Sequence, residues 1–224
     1  MAITIPWDFM NVPVKLICFD LDGLLVDTEP YYFEAHASVF ADYGVTITAD
    51  EYARRWIIKG DKTETIAPEK GITADHRMMT EEAKRRYRKM IDQELRLMPG
   101  ALEAVKRARE VAPTALVTNT PDGDARLVTD RAGLTPYLKH FITRDRYIHA
   151  KPEPDAYLAA CAAAGVQPGD AITLEDSPRG TRAAVAAGVR CIWVPTKWTD
   201  LDGPPPGIWK TVRSLTEVDF TRNL

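Results

Sequence analysis

The stretch FDLDGLLVDTEP, residues 19–30, sets Asp20, Asp22 and Asp27 directly behind an apolar run, with Gly23 beside the first two. A solvated acidic loop is the cheapest explanation of such a cluster. The run in front of it, Val14 to Phe19, argues against that, because a short apolar run reads as a strand buried on both faces. A chain that finishes its most buried strand with two carboxylates must supply a partner for them.

Comparable runs recur at 114–118, 140–143, 171–175 and 190–194, with a short last strand near 208–212. Helix-patterned stretches starting near 101, 122, 154 and 178 separate them. Strands alternating with helices argue βαβ units and a parallel sheet. The alanine-rich TRAAVAAGV and AYLAACAAAG suit helices lying close against that sheet, and Gly188 and Gly165 read as their stops. Residues 29 to about 98 break the rhythm. They read almost entirely as helix, with a capping box at Thr48 and Glu51 and a stripe of Met79, Ala83, Tyr87 and Met90. The basic KRRYRK (84–89) around the stripe reads as a solvated helix face. MPG (98–100) marks the return to the sheet.

The 224 residues form one large domain, or a core with an insert, long enough to bury its own core without staples. Its 29 basic and 32 acidic residues give a net charge of −3, too balanced for nucleic acid or an anionic membrane as main partner. No apolar run approaches the roughly 18 residues that a membrane span needs. The N-terminus carries Asp8 and no basic region before an apolar stretch, unlike a signal peptide. Cys18, Cys161 and Cys191, an odd number in apolar surroundings, fit a reducing compartment, and the expected location is cytoplasmic. Nothing in the sequence fixes the oligomeric state.

In an open parallel sheet, ligands bind beyond the carboxyl ends of the strands. Asp20 and Asp22 follow the first strand, and Thr118 and Asn119 the second. Lys151, in KPEPD, follows the third, and Glu175, Asp176 and Ser177 the fourth. Clustered carboxylates titrate upward unless a cation sits among them. A few carboxylates with open positions suit Mg²⁺, waters and a phosphate oxygen. Thr118, backbone N–H groups and Lys151 are placed to hold the remaining phosphate oxygens, and Gly23 lets backbone approach the anion. Each piece alone has a plainer reading: an Asp pair in a turn, a surface lysine, Ser177 and Pro178 as N-cap and N1. Their common position after successive strands decides for a site. No GxGxxG or GxxxxGK[ST] follows any strand, so dinucleotide and P-loop readings fail.

With those residues in view, FDLDGLLVDTE resembles motif one of the haloacid dehalogenase-like superfamily. VTNT resembles motif two, KPEPDAY motif three and LEDSPRG motif four, so the likeness covers the chain from Val14 onward. The helical insert is similar to the cap of the β-phosphoglucomutase-like and phosphoglycolate phosphatase-like branch. The resemblance implies an α/β fold: a Rossmann-like parallel core (1–28 and 97–224), an inserted all-helical cap (29–96) and Mg²⁺-dependent phosphoryl transfer. It implies Asp20 as nucleophile, and Asp22 as acid and base with its carbonyl on the metal. Asp176 and Glu175 complete the metal shell or stand beside it, while Thr118, Asn119 and Lys151 take the phosphoryl group. Dehalogenases of the superfamily lack the second aspartate of motif one, so that activity is excluded. The expected activity is a phosphatase for a small phosphorylated metabolite of sugar phosphate or phosphoglycolate type, acting through an aspartyl phosphate.

A sugar phosphomutase is the first alternative, and a non-enzymatic phosphate-binding or receiver-type module the second. The position that the mutase pattern gives to a cap histidine is Tyr32. The position of its phosphate-gripping arginine, after Lys59-Gly60, is Thr63. Lys59, Lys62 and Tyr32 are the cap candidates for substrate contact. His36, His76, His140 and His149 have no ligand spacing, although His36 has a place facing the site from the cap. Arg144 and Arg179 are further candidates for substrate contact, although exposed loop arginines usually make none.

Overall fold

The structure, a computed structural model, describes residues 13–220; Asp8 and the N-terminal reading lie outside the described residues. Six strands, β1 (Leu16–Phe19), β2 (Thr114–Val117), β3 (His140–Ile142), β4 (Ala171–Glu175), β5 (Arg190–Trp193) and β6 (Lys210–Thr211), form one parallel sheet ordered β3-β2-β1-β4-β5-β6. All the expected strands are present, most of them shorter than their apolar runs.

Alternation along each strand explains the layers. Ile17 and Phe19, with Leu116, Ile172, Leu174 and Ile192, join one apolar cluster, against α5 (Ala101–Val111) and α6 (Asp122–Arg131). Leu16, Cys18, Ala115, Val117, Ala171 and Cys191 join the cluster on the other face, against α7 (Asp155–Ala164) and α8 (Pro178–Ala186). The small residues Ala156, Ala160, Ala183 and Ala184 bring those two helices down onto the sheet. All four residues of β1 are fully buried, and the strand lies between β2 and β4. Its carboxyl end therefore opens at the centre of the sheet, as the switch-point rule requires.

Between β1 and α5 the chain forms α1 (Glu29–Ala41), α2 (Ala49–Tyr52), α3 (Thr63–Glu69) and α4 (His76–Gln93). The Thr48 hydroxyl accepts from the Glu51 N–H at 3.1 Å, half of the expected capping box. α2 continues into a π-helical segment, Ala53–Lys59, which Gly60 ends in the left-handed conformation. These helices have their own apolar cluster, including Val39, Phe40, Ile57, Ile66 and Met79. Among the described residues Trp198, after β5, is the one buried residue from the sheet side that joins it, with its ring centroid 5.6 Å from Phe33 and 5.8 Å from Tyr52. The buried stripe of α4 is Met79, Ala83, Tyr87 and Ile91. The expected fourth member, Met90, is only partly buried, because the i, i+4 row continues to Ile91. The basic face of α4 is ion-paired: Arg85 with Glu82, Arg86 with Glu82 and Asp42, and Arg88 with Asp124.

The two connections between sheet and helical block are themselves paired. Val26 forms a bridge with Leu97, Asp27 N–H donates to Arg96 O at 2.9 Å, and Met98 N–H donates to Leu25 O at 3.0 Å. No helix among the described residues is long and apolar enough to cross a membrane.

Candidate active site

The parallel register sets Phe19 beside Leu116 and Leu174. The residues that follow these strands, Asp20, Thr118 and Asp176, therefore meet in one place. Lys151 reaches them from the segment after β3. Its ammonium donates to Asp20 Oδ1 at 2.7 Å, to the Val117 carbonyl at 2.7 Å and to Glu175 Oε1 at 2.5 Å. Burial would lower the Lys151 pKa, but Asp20 and Glu175 outweigh it and hold the ammonium protonated. Glu175 is fully buried, and Oε1 also accepts from Tyr157 OH. Burial raises its pKa to about 7 against the pull of Lys151.

The loop after β1 turns tightly, with Gly23 N–H donating to Val26 O at 2.8 Å and Gly23 at φ +77°. A Cβ at Gly23 would collide with the Asp176 carboxylate. Asp22 accepts from Thr28 Oγ1 at 2.9 Å and Thr120 Oγ1 at 2.6 Å, with Thr118 Oγ1 at 3.5 Å. Burial, and then Asp20, raise its pKa to about 6, close to where a group that both gives and takes a proton works best.

Oxygens of Asp20, Glu175 and Asp176 lie within 4.8 Å of one another. Asp176 Oδ1 is buried with no hydrogen-bond partner, and burial, followed by Asp20 and Glu175, drives its pKa well up. A buried carboxylate oxygen without a donor, facing two other acids, fits an oxygen-seeking divalent cation. Glu175 fits less well, because Lys151 and Tyr157 already engage Oε1 and Ser177 Oγ lies 3.4 Å from Oε2. Asn119 lines the cavity, but part of its side chain is already engaged. Its Oδ1 accepts from Tyr147 OH at 2.8 Å and from the Lys151 N–H at 3.1 Å, so its side chain braces two loops.

Above the carboxylates is a cavity of about 260 Å³ that Tyr32, Tyr52, Trp56 and Ile57 wall from the helical block. Tyr32 stacks on Tyr87 with ring centroids 3.9 Å apart; burial, then Asp22, raise its phenol well above the usual range, so the group is neutral. Lys59 and Lys62 are exposed and do not line the cavity. Thr63 is buried at the start of α3, also away from it. His36 does not reach the cavity; it packs behind Trp56 with ring centroids 5.3 Å apart, and burial lowers its pKa to about 4.

Several residues of the site were not singled out from sequence. Thr120 was readable as a second hydroxyl in VTNT. Glu29 was readable from DTEP; it lines the cavity, accepts from Tyr52 OH at 2.9 Å, and burial with Asp22 raises its pKa to about 8. Arg179, named from sequence only as a loop arginine able to touch substrate, lies in the first turn of α8, is half-buried and lines the cavity. Tyr52 and Trp56 carry no motif, only an i, i+4 spacing.

The class these features define is a Rossmann-like α/β protein with a helical insert above a cluster of buried carboxylates at its strand ends. The haloacid dehalogenase-like hydrolase family matches residues 17–194, and the chain belongs to it. It is 31% identical over 188 residues to the phosphorylated carbohydrates phosphatase of Thermotoga maritima, covering 80% of this chain and 84% of that protein. It is 30% identical over 184 residues to phosphoglycolate phosphatase 1 of Pseudomonas aeruginosa, covering 79% and 68%. The crystal structure of CbbY from Rhodobacter sphaeroides in complex with phosphate superposes with a TM-score of 0.77 at 26% identity, covering 91% of this chain and 96% of that one. Family and relatives together make the chain a phosphoric monoester hydrolase of this family.

Proposed function

We propose that the protein hydrolyses a small phosphorylated metabolite, of sugar phosphate or phosphoglycolate type, through an aspartyl phosphate on Asp20. The observation that carries this reading is the triangle in which Lys151 holds Asp20 while Asp22 hangs from Thr28 and Thr120 beside it. Lys151 fixes the direction of the Asp20 carboxylate, and its charge lowers the repulsion met by an incoming phosphoryl group. Asp20 attacks phosphorus and the ester oxygen leaves with the proton of Asp22. The Asp22 carboxylate then takes a proton from the water that releases phosphate. Thr118 and Lys151 are the protein groups that hold the phosphoryl oxygens. Asp20, Asp176 and the backbone carbonyl of Asp22 would hold Mg²⁺, with Glu175 positioning Lys151 from behind. When bound, the cation would neutralise charge on the transferring group.

Residues 29–96 act as the cap in this reading, and the paired strands 26–27 and 96–98 as its hinge. Hydrolysis is favoured over phosphomutase action because Tyr32, a neutral phenol, stands where the mutase pattern has a histidine. Hydrolysis of a panel of sugar phosphates, polyol phosphates and 2-phosphoglycolate, with Mg²⁺ and with EDTA, tests the proposal. Metal-dependent release of phosphate from at least one class is expected. Full activity in excess EDTA overturns the metal assignment, and glucose 6-phosphate formed from β-glucose 1-phosphate faster than phosphate overturns hydrolysis.

A further inference from the structure

Two donors on side chains that line the cavity have no acceptor. Arg179 Nε and Trp56 Nε1 are both buried without a hydrogen-bond partner, and both residues line the cavity. They come from different parts of the chain. Arg179 is in the first turn of α8, and Trp56 in the π-helical segment that packs against that helix. The guanidinium is held from two sides. One nitrogen donates to the Lys151 carbonyl, and the Gly60 backbone lies so close that a Cβ there would overlap it. Among the cations lining the cavity, Lys151 already has Asp20 and Glu175, whereas no carboxylate is paired with Arg179 among the described residues. Burial, and then Arg182, lower its pKa. The acid on the same wall, Glu29, already has its donor in Tyr52.

A guanidinium without a carboxylate and with a free Nε–H, and an indole N–H without a partner, on the lining of one small cavity call for an acceptor that arrives with the substrate. We propose that Arg179, assisted by Trp56, sets specificity by binding a second anionic group, a carboxylate or a second phosphate, at the far end of the phosphate ester. This rests on the phosphatase reading of the same cavity. A charge-assisted hydrogen bond of this kind changes affinity by roughly tenfold to a hundredfold.

The test is calorimetric binding to the Asp20→Asn protein with Mg²⁺, using 2-phosphoglycolate, fructose 1,6-bisphosphate and glycerol 3-phosphate. At least one of the first two is expected to bind at least about tenfold more tightly than the third, and which one does so tells carboxylate from phosphate. Adding Arg179→Gln should remove that ratio. Trp56→Phe, which removes the indole N–H together with part of the ring, should reduce the ratio in the same direction and stands as the check if Arg179→Gln does not fold. Equal weakening of all three esters, or a ratio that Arg179→Gln leaves in place, overturns the assignment of Arg179 while the phosphate site stands. Failure of every ester to bind overturns both readings.

Discussion

The floor and the wall of the cavity are built on different principles. On the floor, charged groups satisfy one another: Lys151 bridges Asp20 and Glu175, two threonines hold Asp22, and Asp176 keeps the one buried oxygen without a donor. The wall is aromatic. Tyr32, Tyr52 and Trp56 stack among themselves and their neighbours, and polar atoms of His36 and Trp56 are buried without partners. The floor is therefore preorganised electrostatically for one reaction, whereas the wall presents a shaped surface whose polar needs a ligand would meet.

That contrast can be broken first at Asp20. Asp20→Asn keeps the volume and removes the carboxylate proposed as nucleophile, so turnover should fall by several orders of magnitude while the melting temperature moves by only a few degrees. More than about a tenth of the activity remaining would end the covalent reading. Asp22→Asn comes next. It should slow alkyl phosphates by roughly a hundredfold or more and nitrophenyl phosphate by much less, since that leaving group needs no proton. The acid form of Asp22 is present below about pH 6, so the advantage of Asp22 on alkyl phosphates should shrink as pH rises through that value. Equal losses on both substrates would make Asp22 a structural residue.

A third substitution sharpens the contrast through stability. Lys151→Met leaves Asp20 and Glu175 buried without their cation, which should destabilise by about 3–5 kcal/mol, read by urea denaturation at neutral pH. The loss should shrink as pH falls through about 7, where Glu175 takes up its proton. A loss that stays constant with pH would refer the effect to packing.

The smallest effect belongs to the wall. The Glu29 pKa is raised from 4.5 to about 8 by burial and Asp22, so the folded protein holds a proton that the unfolded chain gives up. Its contribution to stability is present below about pH 4.5 and is lost as pH rises through 8. Glu29→Gln should remove that slope. The variant should gain on the metal-free wild type by on the order of 3 kcal/mol at pH 9 and by little at pH 4.5. Parallel stability curves would show that Glu29 is not held protonated.

The floor was legible because strand alternation and the switch-point rule place residues that are consecutive in sequence. Once β1 ended at Phe19, Asp20 had nowhere to go but the sheet centre, and Lys151 and Asp176 followed from the same logic. Thr120 escaped only as one more hydroxyl in a loop already chosen. The wall was not legible, because it depends on the rotation of helices. Lys59 and Lys62 were chosen for charge and a neighbouring glycine. The π-helical segment Ala53–Lys59 changes the phase of that face and turns Trp56 inward while the lysines stay exposed. Nothing in the sequence separates Arg179 from Arg144, because no sequence rule shows that Gly60 packs on the Arg179 guanidinium.

The claim that the strand ends form a covalent phosphoryl site is tested most directly by catching the intermediate. The Asp22→Asn protein, in which release of phosphate should be slowed on the proposed mechanism, is mixed with Mg²⁺ and a substrate, quenched during turnover, reduced with borohydride and sequenced by mass spectrometry. An aspartyl phosphate at Asp20 predicts homoserine at position 20 and nowhere else. Turnover that leaves Asp20 unreduced, or homoserine at another carboxylate, would contradict it.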